Sequence, residues 1–194
     1  QSLYDDIGYF FDWLVQRITD EKIDLLLVSG DIFDLANPSN MDTKLYYQTL
    51  YRLSKTNVKV IITGGNHDSI SLLDAPSSLL DVLDITVVGG AKDDIHNEII
   101  PITGTHGEVE CIVLAVPFLR DKDLRQSMQA SEMADKSSFI SEAIKQHYDK
   151  LVEMTVEKFG HSAPIIAMGH LYMQGSITSD SEREIHIGNL EGLD

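Results

Sequence analysis

Three short segments carry side chains able to hold a metal or move a proton: Gly30-Asp31-Ile32-Phe33-Asp34, Gly65-Asn66-His67-Asp68 and Gly169-His170. Together they offer a carboxylate, an amide oxygen and imidazoles. This mixed oxygen and nitrogen set suits divalent Mn, Fe or Zn better than Ca or Mg, and no thiolate competes. A carboxylate such as Asp31 can bridge two cations, and paired metals ~3.5–4 Å apart favour in-line attack on a phosphate ester. One metal lowers the pKa of a bound water, which becomes the nucleophile. A histidine that is not a ligand can then contact the phosphate or protonate the leaving oxygen.

Each piece also has an ordinary structural reading. Gly-Asp after a strand is common turn chemistry. Asn66 suits a left-handed turn, and His67 can open a helix, since Asp68-Ser69 resembles a cap. His170 alone can be a surface histidine. The Gly-Asn-His-Asp tetrapeptide is more specific than its neighbours, and the three segments in this order favour the chemical reading.

The elements that must position these residues are legible in the hydrophobic pattern. Ile7, Phe10, Phe11, Leu14 and Ile18 give residues 4–18 helical spacing. The apolar run 23–28 then reads as a strand stopping at Ser29-Gly30-Asp31. A helix over 41–54 precedes a strand over 58–63 that ends at Gly64-Gly65-Asn66. A third helix near 72–83 precedes a strand over 85–88. This alternation implies a mainly parallel sheet covered by helices on both faces. In such sheets ligands bind at the carboxyl ends of the strands, so Asp31, Asn66, His67 and His170 are expected in one crevice.

The second half changes character. Residues 98–103 and 109–116 flank a Gly104…Gly107 turn and read as an antiparallel hairpin. A long helix is expected over 137–158, preceded by a mobile excursion over 120–136. Apolar runs at 163–168 and 184–187 end at Gly169-His170 and Gly188-Asn189. His96, His106, His147 and His161 are expected to be solvated, and His186 to lie on the outward face of a strand.

Composition bounds the answer from the other side. The 194 residues suit one domain, and 43% hydrophobic with 24% charged is ordinary for a globular protein. The single Cys111, inside an apolar run, is expected to be buried and inert. No apolar stretch reaches the ~18 residues of a membrane span, so a cytoplasmic setting is expected. With 31 Asp+Glu against 15 Lys+Arg, the net charge is -16, which argues against a basic nucleic-acid surface.

Gly-Asp-x-x-Asp, Gly-Asn-His-Asp and the later Gly-His, each after an apolar strand, resemble the calcineurin-like metallophosphoesterases. Pro117-Phe118-Leu119-Arg120, Gly169-His170-Leu171 with Gly175, and Arg183-Glu184-Ile185-His186-Ile187-Gly188 resemble the branch of SbcD-type nuclease subunits. The resemblance implies an α/β fold of layered mixed sheets flanked by helices, an α/β/β/α sandwich. It implies two divalent metals, Mn most of all, with Asp31 as bridging ligand and Asn66 and His170 as further ligands. His67 is then the catalytic histidine. Asp34 stands where some relatives have a second active-site histidine, and its alternative is a helix-capping or supporting carboxylate. Arg120 is a candidate phosphate contact, with a solvated loop as its alternative.

The same resemblance implies DNA as substrate, exonuclease and endonuclease activity in DNA end processing and repair, a homodimer and an SbcC-type ATPase partner. It also implies that residues 1–194 form one metallophosphoesterase domain, incomplete at both ends. An Asp-x-His motif would be expected upstream and a Gly-His-x-His downstream, so this piece alone would be impaired. Two other readings stay open: a related phosphoesterase acting on a small phosphoester, and a non-catalytic scaffold.

Overall fold

The computed structural model describes residues 3–127 and 136–171. They form two units, residues 3–90, 115–118 and 168–170 in one and the remainder in the other. The chain runs α1 (Leu3–Glu21), β1 (Leu25–Ser29), α2 (Asn40–Leu53), β2 (Lys59–Thr63), α3 (Ile70–Asp74), α4 (Ser77–Asp81) and β3 (Ile85–Val88). Next come a 3-10 turn (Ile95–Glu98), β4 (Ile99–Thr103), β5 (Val109–Ala115), α5 (Asp121–Ser127), α6 (Lys136–Phe159) and β6 (Ile165–Met168).

In the first unit β1, β2 and β3 pair in parallel in that order. The central strand β2 is covered on both faces, which explains its unbroken Val60-Ile61-Ile62 run, all nearly inaccessible to water. Burying each such side chain contributes about 1.5–3 kcal/mol. The register decides where the candidate site residues emerge. Ser29 lies opposite Thr63, and Thr63 opposite Val88. Two strands therefore end level, and the segments after Ser29 and Thr63 leave the same sheet edge side by side. The ladder continues one residue further, with Gly30 N–H donating to Thr63 O at 3.1 Å and Gly64 N–H to Val88 O at 2.9 Å.

Helix α2 begins at a reciprocal cap. The Ser39 hydroxyl accepts from Asp42 N–H, and the Asp42 carboxylate accepts from Ser39 N–H, both at 3.2 Å. The single helix expected over 72–83 is instead two five-residue helices, α3 and α4, divided at Pro76. Proline has no N–H to continue the helical ladder. Its carbonyl instead starts the second helix, accepting from Leu79 and Leu80 N–H.

The second sheet has the order β4-β5-β6. Its hairpin is antiparallel as expected, with an irregularity between Ile102 and Thr103. The parallel sheet expected from the first half is β1-β2-β3, and the expected hairpin belongs to a second sheet, in keeping with layered sheets flanked by helices. Residues 121–127, expected to be mobile, form helix α5: Asp123 accepts from Arg120 N–H at 3.0 Å, and Leu124 is buried. Residues 128–135, and the strand expected over 184–187 with His186, lie outside the described residues. Cys111 is half-buried, and burial followed by the Glu110 charge pushes its thiol pKa up. Among the described residues, no helix is long and apolar enough to cross a membrane.

His147 was expected in water and is buried. It lies on the inward stripe of α6 with Ala143 and Leu151, and its Nε2 is 2.6 Å from Glu98 Oε2. Both side chains are nearly inaccessible, at 8% and 2%. Removing one partner of such a pair leaves the other uncompensated, so His147→Ala should lower stability by about 3–5 kcal/mol. A Glu98→Leu/His147→Leu double variant should recover most of that. Urea unfolding at neutral pH measures both.

Candidate metal centre

Two loops leave the edge of the parallel sheet, residues 30–34 after β1 and residues 64–68 after β2. The first turns at once, through two successive left-handed residues, Gly30 (φ +76°) and Asp31 (φ +49°). Gly30 must lack a side chain, because a Cβ there would run into the His170 ring. Asp is among the few side-chain-bearing residues that visit this region, at a cost of about 1–2 kcal/mol. The turn lifts the Asp31 carboxylate over the sheet edge. Gly65 of the second loop faces it so closely that a Cβ would strike Asp31 N and its Oδ1.

The convergence expected from the sequence is present. His170 Nε2 lies 2.9 Å from Asn66 Oδ1 and 3.4 Å from Asp31 Oδ2. The other Asp31 oxygen, Oδ1, accepts from His67 N–H at 3.2 Å. His67 Nδ1 is 3.9 Å from Asp34 Oδ1, an electrostatic neighbour beyond hydrogen-bond length. Asn66, His67 and His170 are half-buried, whereas Asp34 is open to solvent. Arg120 belongs to the other unit, just ahead of α5, where its N–H is held by Asp123.

The donor set fits a divalent cation. His170 Nδ1 lies 3.2 Å from Ser29 O, a carbonyl that can only accept, so a hydrogen bond there places the proton on this nitrogen. In the neutral ring Nε2 then holds a lone pair. It points at two oxygen acceptors, Asn66 Oδ1 and Asp31 Oδ2. With the proton on Nδ1, three acceptors face one another, an arrangement that a divalent cation satisfies, and a backbone bond on the far nitrogen is the usual orienter of a metal-bound histidine. Phe118 sets the ring from the side, edge-on at 6.2 Å between ring centroids, and its N–H is tied to Gly64 O at 2.8 Å. Among the described residues, no three or more His, Cys, Asp or Glu side chains form a metal-binding group. The set here is two such residues completed by an amide oxygen.

One further residue shapes the centre, although its place in the sequence suggested only a helix cap. Asp68 is 2% exposed. Its Oδ1 accepts from Phe33 N–H at 2.9 Å, and its Oδ2 from Ile32 N–H at 3.0 Å and Gly65 N–H at 2.8 Å. Ser69, not Asp68, caps α3, accepting from Leu72 N–H. Tyr46 packs edge-on against Phe33, and burial, then Tyr47 and Asp68, push its phenol pKa well above the ordinary value. The signal for Asp68 was its position at the end of the Gly-Asn-His-Asp tetrapeptide.

The model of the calcineurin-like phosphoesterase family matches residues 2–190. The chain belongs to that family. Calcineurin-like metallophosphoesterases employ divalent metal ions, in keeping with the donor set above. The chain is similar to the SbcD subunit of the nuclease SbcCD from Escherichia coli K12, 32% identical over 186 residues, covering 95% of this chain and 45% of that protein. The corresponding subunit of Rhodobacter capsulatus is 33% identical over 176 residues, covering 87% and 43%. That of Bacillus subtilis is 30% identical over 184 residues, covering 91% and 44%. The chain spans less than half the length of these curated relatives.

The close approach at Gly65 makes a direct prediction about this phosphoesterase centre. Gly65→Ala should cost about 1–3 kcal/mol of stability, because backbone rather than a flexible side-chain end must move. If Asp31 is one of the donors to a divalent metal, binding of such an ion, probed with Mn2+, should weaken as well, since the displaced atoms belong to Asp31. Chemical unfolding and Mn2+ titration calorimetry check the two effects.

Proposed function

We propose that this chain is the phosphoesterase unit of a DNA nuclease that hydrolyses phosphodiester bonds with two divalent metal ions, Mn2+ by preference. The observation that carries the reading is the convergence of Asp31 Oδ2, Asn66 Oδ1 and His170 Nε2, with His67 beside them. The similarity to SbcD subunits of the nuclease SbcCD from three bacteria supports DNA as substrate. On the same basis an SbcC-type ATPase is the proposed partner, a homodimer the proposed assembly and the cytoplasm the proposed setting.

Asp31, Asn66 and His170 would hold the metal ions. Bound divalent ions supply charge for the phosphate oxygens and acidify water for attack. The chain's own contributions surround that chemistry. In the proposed tautomer Ser29 O accepts from His170 Nδ1. Asp31 Oδ1 holds the backbone of His67, so the imidazole stays beside the carboxylate. In hydrolysis the leaving oxygen must take up a proton as its bond to phosphorus breaks, and His67 is the proposed source or phosphate contact. Asp34 is the proposed neighbour of Nδ1, 3.9 Å away, which leaves Nε2 for the substrate. Arg120 is the proposed phosphate contact outside this group.

The intact protein provides the test. His67→Ala should lower Mn2+-dependent degradation of double-stranded DNA by roughly 10²–10⁴-fold. Its Mn2+ affinity should stay close to wild type. Asp31→Ala should weaken Mn2+ binding itself. Equal loss of metal in both variants contradicts the assigned roles. Hydrolysis of a small phosphodiester with no action on DNA would replace the nuclease reading by a small-ester phosphoesterase. Absence of both activities in metal-loaded protein would favour a scaffold.

A further inference from the structure

We propose that Asp68 is the positioning residue of this centre, setting the separation of Asp31 and Asn66 while binding neither metal nor substrate. This rests on the metal-site reading above. Of the N–H groups it accepts from, Ile32 adjoins Asp31 and Gly65 adjoins Asn66. A single buried carboxylate thus holds the backbone next to one ligand and next to the other, on loops 36 positions apart for Ile32 and Asp68. Phe33 N–H, on Oδ1, adds the approach to Asp34.

The chemistry requires a carboxylate of this length. The Ile32 and Gly65 N–H groups bond to one oxygen and the Phe33 N–H to the other, so both oxygens act as acceptors of backbone N–H. An amide of the same shape has one acceptor, and its NH2 would confront at least one backbone N–H. A longer acid would need room in a spot that is 2% exposed. The bonds are charge-assisted, stronger than neutral ones, and shielded from water. Without them, Gly65 and Asp31 could separate, and the acceptor triad would lose the spacing a cation needs. Groups that orient ligands in this indirect way typically change metal affinity or activity by roughly 10–100-fold when removed.

The experiment compares wild type, Asp68→Asn and Asp31→Ala in the intact protein, well below the unfolding transition, by MnCl2 titration calorimetry and phosphodiester hydrolysis. Asp68→Asn should bind Mn2+ roughly 10–100-fold more weakly, and excess Mn2+ should restore part of its rate. A merely structural role would lower the melting temperature and leave affinity and rate unchanged; that result beside lost binding in Asp31→Ala overturns the proposal alone. Wild-type affinity in Asp31→Ala overturns the metal-site reading and this proposal with it. If Asp68→Asn does not fold, hydrogen exchange of the wild-type protein decides. Segments 30–34 and 64–68 should exchange as one unit and slow together with MnCl2. Independent exchange of the two segments overturns the clamp.

Discussion

Everything at the centre depends on the parallel register that ends β1 and β2 level with each other. With Ser29 opposite Thr63, the next residues of both strands emerge at one edge. Shifting that pairing by one residue would turn every side chain of a strand to the opposite face. On β2 such a slip would carry the half-buried Lys59 into the fully buried position of Val60 and break the close packing of Ile61 and Ile62. Core packing and site geometry are therefore one constraint. Residues remote from the candidate ligands decide where Asp31 and Asn66 begin.

From that edge, the loops must come closer than ordinary side chains permit. Gly30 and Gly65 leave the space that the His170 ring and the Asp31 carboxylate fill. Asp31 takes a left-handed backbone that most residues avoid. Strain of this kind persists where surrounding contacts over-determine it. Here those contacts are the Gly30–Thr63 bond, the His67 N–H on Asp31 Oδ1 and the three N–H groups on Asp68. The centre is thus built from backbone polar groups as much as from side chains.

That division explains what was legible in the sequence. Helices α1 and α2 and the parallel strands follow from spacing alone, because burial of one stripe or one run writes itself into local periodicity. The convergence of Asp31, Asn66 and His170 was also legible, since Gly before a polar residue marks each strand end. The break at Pro76 was local and readable, yet the apolar spacing across it looked continuous. What sequence could not show was pairing at a distance. His147 looked solvated among the polar residues of α6 until Glu98, 49 positions away, supplied its partner. Asp68 looked like a helix cap because its three donors are backbone groups, two of them on the other loop, and backbone groups carry no residue identity. Helix α5 was hidden for the same reason, its Asp123 acting on the Arg120 backbone.

The charge of -16 gains a more specific meaning from this geometry. At the centre, acceptors face one another: the Asp31 carboxylate, the Asn66 amide oxygen and the His170 lone pair. Such a constellation repels a phosphate by itself and would attract one once bound divalent ions reverse its local sign. On the proposed reading, metal occupancy and substrate approach are therefore linked: the same carboxylate that would keep a polyanion away is the one that recruits the cations. The rest of the acidity is spread over surfaces such as the first turns of α1 and α5. Those charges are not reversed by the metals. At physiological salt each is screened beyond ~8 Å, so it opposes only the phosphates that pass close to it. On the proposed reading, then, the metals can reverse the acidity only at the centre, and the charges elsewhere still oppose a polyanion that passes close to them.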